Sequence, residues 1–133
     1  MILIILQYVA IQGEEKSMCD CQVRFQTNEE VCIVSLEGEF VLGSTGEIKE
    51  HVKSYVEEHQ VSVFIVDLSR VSFMDSSGLG ALIAWFKMAN EKQGRVVFCS
   101  PTDYVRKIIG YAKLDKIFTI KETRTEAEIC CKA

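Results

Sequence analysis

The chain has 133 residues, and 48% of them are apolar, enough to bury one core without disulfide or metal staples. With 15 basic against 19 acidic residues and a formal charge of -4, it lacks the basic field that nucleic-acid binding requires. If the chain regulates transcription, the expectation is that it does so by touching another protein and not DNA.

Residues 1–11 form an apolar run, too short to span a bilayer and without the basic start of a signal peptide. Gly13-Glu14-Glu15-Lys16-Ser17 interrupts it, and Met18 reads as a fresh start. Residues 1–17 are therefore set apart as an extension, and residues 18–133 as the working domain. The run is either an added strand, able to join two copies edge to edge as a homodimer, or a segment outside the domain.

Segments 22–26 and 31–36 read as a hairpin about Thr27-Asn28-Glu29-Glu30. Ser44-Thr45-Gly46-Glu47 matches a capping box, followed by Ile48, Val52, Tyr55 and Val56 on one helical stripe. Segment 61–68, β-branched and almost wholly apolar, predicts a strand buried on both faces. A second helix starts within Ser76-Ser77-Gly78 and runs to Lys92, with Gly94 as its stop. A strand over 95–99 follows, then a helix capped by Ser100 with Pro101 in its first turn and Gly110 at its end. A short edge strand over 116–120 and a last helix capped at Thr125 complete the chain.

The order β-β-α-β-α-β-α-β-α implies an α/β fold. The expectation is a mixed sheet of four to five strands with about four helices. The six cysteines (Cys19, Cys21, Cys32, Cys99, Cys130, Cys131) lack the C-x2-C spacing of zinc sites, and Cys32 and Cys99 sit in apolar runs. They read as small hydrophobes in a reducing, cytoplasmic setting. No metal, cofactor or membrane contact is expected.

Chemistry concentrates where the 61–68 strand leaves the sheet and a helix begins, at Met74-Asp75-Ser76-Ser77-Gly78-Leu79-Gly80. Open α/β sheets place functional groups at this end of their strands. A hydroxyl here can cap the helix, and a phosphate on it would meet free N–H groups and the positive end of the helix dipole. Gly78 and Gly80 leave space for another backbone, or a nucleotide, to come close. As a bare Asp-Ser-Ser, the motif reads first as a simple helix cap, and only a longer signature around it reverses that reading.

The longer stretch Leu68-Ser69-Arg70-Val71-Ser72-Phe73-Met74-Asp75-Ser76-Ser77-Gly78-Leu79-Gly80 resembles the signature of bacterial anti-sigma factor antagonists, which are STAS-type domains. Gly38-Glu39, Gly94-Arg95-Val96-Val97 and Val105-Arg106-Lys107-Ile108-Ile109 also sit where that family places related residues. The resemblance runs from Met18 to the C-terminus. It implies a STAS-like fold and a non-enzymatic protein that binds an anti-sigma factor with serine kinase activity. In the family that kinase phosphorylates the serine after the aspartate, here Ser76; the phosphorylated form is released, and a serine phosphatase resets it. Asp75 would orient the loop and Ser77 would cap the helix. Glu39, Ser44, Trp85 and Met88 are further candidates for partner contact, with Trp85 and Met88 on a second apolar face of the helix whose core stripe is Leu79, Leu82, Ile83 and Phe86. That face equally suits packing beneath the third helix. One departure stands out: the family aspartate two residues after the Gly-Glu pair is Val41 here.

Rival readings are weaker. A serine hydrolase needs a base, and the two histidines, His51 and His59, fall on the polar side of the first helix, with no Gly-x-Ser-x-Gly elbow. A phosphorylated Asp67 would need an acidic cluster for magnesium, and the first strands end without one; Asp67 is expected to bond the loop of residues 68–72. An accessory subunit of a lipid-transport ATPase, or of a stress-sensing assembly, would keep the fold and change the partner.

Overall fold

The computed structural model describes residues 21–28 and 31–132. The extension 1–17, the start at Met18, Cys19, and Glu29-Glu30 of the expected hairpin turn lie outside the described residues.

In chain order the elements are β1 (Cys21–Asn28), β2 (Val31–Phe40), α1 (Leu42–Glu58), β3 (Val63–Met74), α2 (Ser76–Glu91), β4 (Arg95–Cys99), α3 (Asp103–Tyr111), a 3-10 turn (Leu114–Lys116), β5 (Thr119–Lys121) and α4 (Arg124–Lys132). The sheet runs β1-β2-β3-β4-β5, with β1 antiparallel to β2 and all other neighbours parallel. Among the described residues this is the expected α/β order, with five strands and four helices.

Burial explains the layering. Alternate residues of the central strands face opposite ways, and both sets are apolar. One face carries Phe25, Phe40, Phe64 and Phe98 against α1, α2 and α3. The other carries Val31, Ile33, Ile65, Val97 and Cys99 against Ala127 of α4. Each fully buried large side chain contributes about 1.5–3 kcal/mol. Cys21, Cys32 and Cys99 are buried thiols, and Cys130 and Cys131 are half-buried on α4. Burial pushes the Cys32 thiol up to about 12 and is the main reason Cys99 rises to about 11, so both stay protonated.

Several boundaries differ from expectation for identifiable reasons. Between Ser35 and Phe40 of β2, the facing stretch Asp67 to Met74 of β3 holds extra residues, through register shifts at Ser35/Glu37 and Gly38/Glu39. These bulges break the two-residue alternation, so residues 68–72 continue the strand instead of forming the expected loop. Helix α1 starts at Leu42, before the expected capping box; Ser44 and Thr45 are buried, and both hydroxyls turn back to the Val41 carbonyl at 3.1 and 2.7 Å. Thr102, not Ser100, caps α3, accepting from Val105 N–H at 3.3 Å and donating to the Val71 carbonyl at 3.1 Å. Ser100 instead takes a left-handed backbone (φ 54°), with its hydroxyl donating to the Glu122 carbonyl. The helix runs past Gly110 to Tyr111. Lys116 belongs to the 3-10 turn, which confines β5 to Thr119–Lys121. Thr123 rather than Thr125 caps α4, its hydroxyl accepting from Glu126 N–H at 3.1 Å.

Candidate functional site

The end of β3 meets the starts of both α1 and α2, and one carboxylate ties the three together. Asp75 is the N-cap of α2: its Oδ1 accepts from Ser77 N–H at 2.9 Å and Gly78 N–H at 3.1 Å. Its Oδ2 accepts from Leu42 N–H, in the first turn of α1, at 3.1 Å. A helix start leaves such donors unpaired, and Val41, at the N-cap of α1, has no side-chain acceptor to offer. Asp75 therefore caps two helices at once. The Ser77 hydroxyl donates to Asp75 Oδ1 at 2.5 Å, and this bond, followed by the Gly78, Leu42 and Ser77 N–H groups, holds the Asp75 carboxyl below the usual carboxylate range.

The two serines after Asp75 divide sharply. Ser77 is half-buried, its hydroxyl bonded to Asp75 and 3.1 Å from Thr45 Oγ1. It is not the cap; it braces the cap. Ser76 is the first residue of α2, is exposed, and makes no side-chain hydrogen bond among the described residues. Its hydroxyl stands idle at the surface.

The packing beneath Ser76 is close. Gly78 is buried, and a Cβ there would collide with the Phe40 carbonyl and the Met74 side chain. The space that Gly78 opens is thus filled by the chain's own β2 and β3, and Met74 is fully buried. Gly80 is exposed and open, and Leu79 is half-buried. The expectation that a phosphate would find free N–H groups at this helix start needs correction, because Asp75 already occupies those of Ser77 and Gly78.

The other candidates separate. Glu39 is exposed near the site, at the end of β2. Ser44 is buried, with its hydroxyl donating to the Glu39 and Val41 carbonyls. Trp85 is 1% exposed, stacks on Phe40 at 5.9 Å and donates from Nε1 to the Lys49 carbonyl of α1 at 3.4 Å. Met88 is buried as well. The second apolar face of α2 packs under α1 and not, as expected, under the third helix; Ser44, Trp85 and Met88 are all buried and are not surface anchors. Of the expected core stripe, Leu82 is fully buried, whereas Leu79, Ile83 and Phe86 pack at the core's margin. The histidines also sit less simply than expected: the half-buried His51 ring lies 5.2 Å from Phe25, and His59 stacks on Tyr55.

An apolar groove of about 520 Å³ beside Ser76 was missed in the sequence. Phe73 and Tyr104 stack at 5.0 Å in its wall, with Leu79, Ile108 and the 82% exposed Tyr111. The available signal was the spacing of Tyr104, Ile108 and Tyr111 on α3, a second stripe beside the core residues Val105 and Ile109. Among the described residues, no three His, Cys, Asp or Glu side chains gather as metal ligands, and no helix is long and apolar enough to cross a membrane.

The STAS domain model matches residues 22–127, which include both ends of this site. The chain belongs to the STAS domain family. Among relatives, an anti-sigma F factor antagonist from Paenibacillus polymyxa is 26% identical over 106 residues, covering 80% of this chain and 91% of that protein. A crystal structure of a protein from Thermotoga maritima shares the fold with a TM-score of 0.80 at 22% identity, over 84% of this chain and 95% of that one. SpoIIAA, an anti-sigma factor antagonist from Bacillus, has been solved unphosphorylated and phosphorylated, at 24% identity to this chain in both forms. Its TM-scores are 0.69 and 0.64, over 79% of this STAS chain and 91% and 95% of the two matched chains.

Proposed function

We propose that this STAS domain is an anti-sigma factor antagonist whose binding is switched by phosphorylation of Ser76. The unmodified chain engages an anti-sigma factor that is also a serine kinase, the kinase phosphorylates Ser76, and a serine phosphatase restores the binding form. The chain is a binding protein of the cytoplasm and not an enzyme. The observation that supports this reading is the contrast between neighbouring hydroxyls: Ser77 is committed to Asp75, and Ser76 is exposed, its hydroxyl making no hydrogen bond among the described residues. Phosphorylation of Ser76 would leave the cap intact.

The switch is electrostatic and steric. A phosphate adds about -1.5 to -2 charge. With the Ser77 and Gly78 N–H groups held by Asp75, and the ionised Asp75 carboxylate adjacent, that charge stays on the surface that faces the partner. A partner surface that accepts the neutral hydroxyl beside the Phe73–Tyr104 groove would then confront an unmatched dianion. Intact-mass and peptide mapping after incubation with ATP and the cognate anti-sigma kinase tests the assignment. One phosphate on Ser76 is expected; phosphate confined to Ser77, or none, overturns it.

A further inference from the structure

On the sheet face that carries α4, a polar cavity of about 310 Å³ lies beyond the helix, with Ser35, Asp67, Ser69, Arg70 and Arg124 in its wall. Pockets that hold small molecules start at about this size. Arg124, the first residue of α4, uses only Nη2 for its bonds, donating to Asp67 Oδ2 at 2.6 Å and Ser35 Oγ at 3.1 Å. Its Nε and Nη1 donors make no hydrogen bond among the described residues. The guanidinium is thus clamped at one end while its other edge is available to the cavity.

A second guanidinium arrives through the β3 bulge. The extra residue opposite Leu36 shifts the register so that Arg70 stands across from Glu37, close to the Asp67 position. Arg70 is exposed and makes no ion pair or hydrogen bond among the described residues, with Glu37 or otherwise. Asp67 is neutralised by Arg124, and Arg70 and Glu37 stand opposite each other across the strand pair with no ion pair between them. Planar guanidinium forks match carboxylate and phosphate oxygens in pairs.

We propose that this cavity binds a small organic oxyanion, carboxylate or phosphate, between Arg124 and Arg70, with Glu37 receiving a hydroxyl or ammonium group of the same ligand. The site lies on the opposite face of the sheet from α1–α3 and stands apart from Ser76. Amide and arginine side-chain NMR of the full chain, titrated with inorganic phosphate or with malate against chloride of equal ionic strength, tests it. Saturable shifts at Ser35, Ser69, Arg70 and Arg124, including the Arg124 Nε–H, are expected, with Ser76 and Ser77 unmoved. Arg70→Gln, an exposed change that leaves the Asp67–Arg124 pair in place, should weaken binding about tenfold or more. Response to phosphate alone assigns a phosphorylated ligand, and response to malate alone a carboxylated one. Absence of saturation up to about 20 mM of either anion, or equal affinity in Arg70→Gln, overturns the proposal.

Discussion

Two carboxylates on one strand path have opposite fates. Asp67, in the middle of β3, is 8% exposed and locked to Arg124 and to Ser69 N–H, the latter at 2.9 Å. Asp75, just past the end of β3, sits at the surface and serves the starts of two helices. Burial alone would raise the Asp67 carboxyl; the bonds from Ser69 and Arg124 outweigh it and hold the carboxyl below its usual range. At Asp75 hydrogen bonds do the same with little burial to oppose them. The first carboxylate fastens α4 to the sheet. The second holds a rigid frame on which one neighbouring hydroxyl is left idle, and a modification can be added there without dismantling the fold.

Substitutions sharpen that contrast in a graded series. Gly78→Ala forces a methyl group against the Phe40 carbonyl and Met74, and should lower unfolding free energy by about 2–3 kcal/mol, read as a lower denaturant midpoint at unchanged slope. Asp67→Asn breaks a half-buried pair and should cost about 2 kcal/mol at neutral pH, less than a fully buried pair because Arg124 is partly exposed. Its pH dependence has a definite sign. The folded-state value lies below the unfolded one of about 3.9, so the contribution is complete above that value and fades as pH falls through the folded one. The stability curves of wild type and Asp67→Asn should therefore converge in acid; a gap that widens in acid contradicts the pairing.

Asp75→Ala should cost about 1–2 kcal/mol by removing caps, with faster amide exchange at Ser77, Gly78 and Leu42. Ser77→Ala should cost about 1 kcal/mol for its bond to Asp75. Ser76→Ala should change stability by no more than about 0.5 kcal/mol in thermal unfolding. Equal losses at the two serines would erase the distinction between a structural hydroxyl and a free one.

The sequence carried the element order because the buried strands and amphipathic helices repeat at their own periods. It also carried the motif, since Asp75, Ser76 and Ser77 are contiguous. It misplaced what depends on neighbours distant in the chain. The β3 bulges exist only against β2, so residues 68–72 looked like a loop. Trp85 looked like an anchor because its cover, α1, is remote in sequence. The roles of Asp75 and Ser77 were exchanged because either residue type can cap a helix, and only the bond from Ser77 to Asp75 distinguishes them. Val41 read as a missing acid; the cross-bond from Leu42 to Asp75 supplies α1 with the acceptor Val41 lacks.

The account rests on Ser76 being accepted by a partner when neutral and refused when charged. Calorimetric titration of the anti-sigma kinase with unmodified chain, Ser76-phosphorylated chain and Ser76→Ala measures this directly. Unmodified and Ser76→Ala chains should bind within about threefold of each other, and the phosphorylated chain at least about 100-fold more weakly. A phosphorylated chain that binds as tightly as the unmodified one contradicts the account.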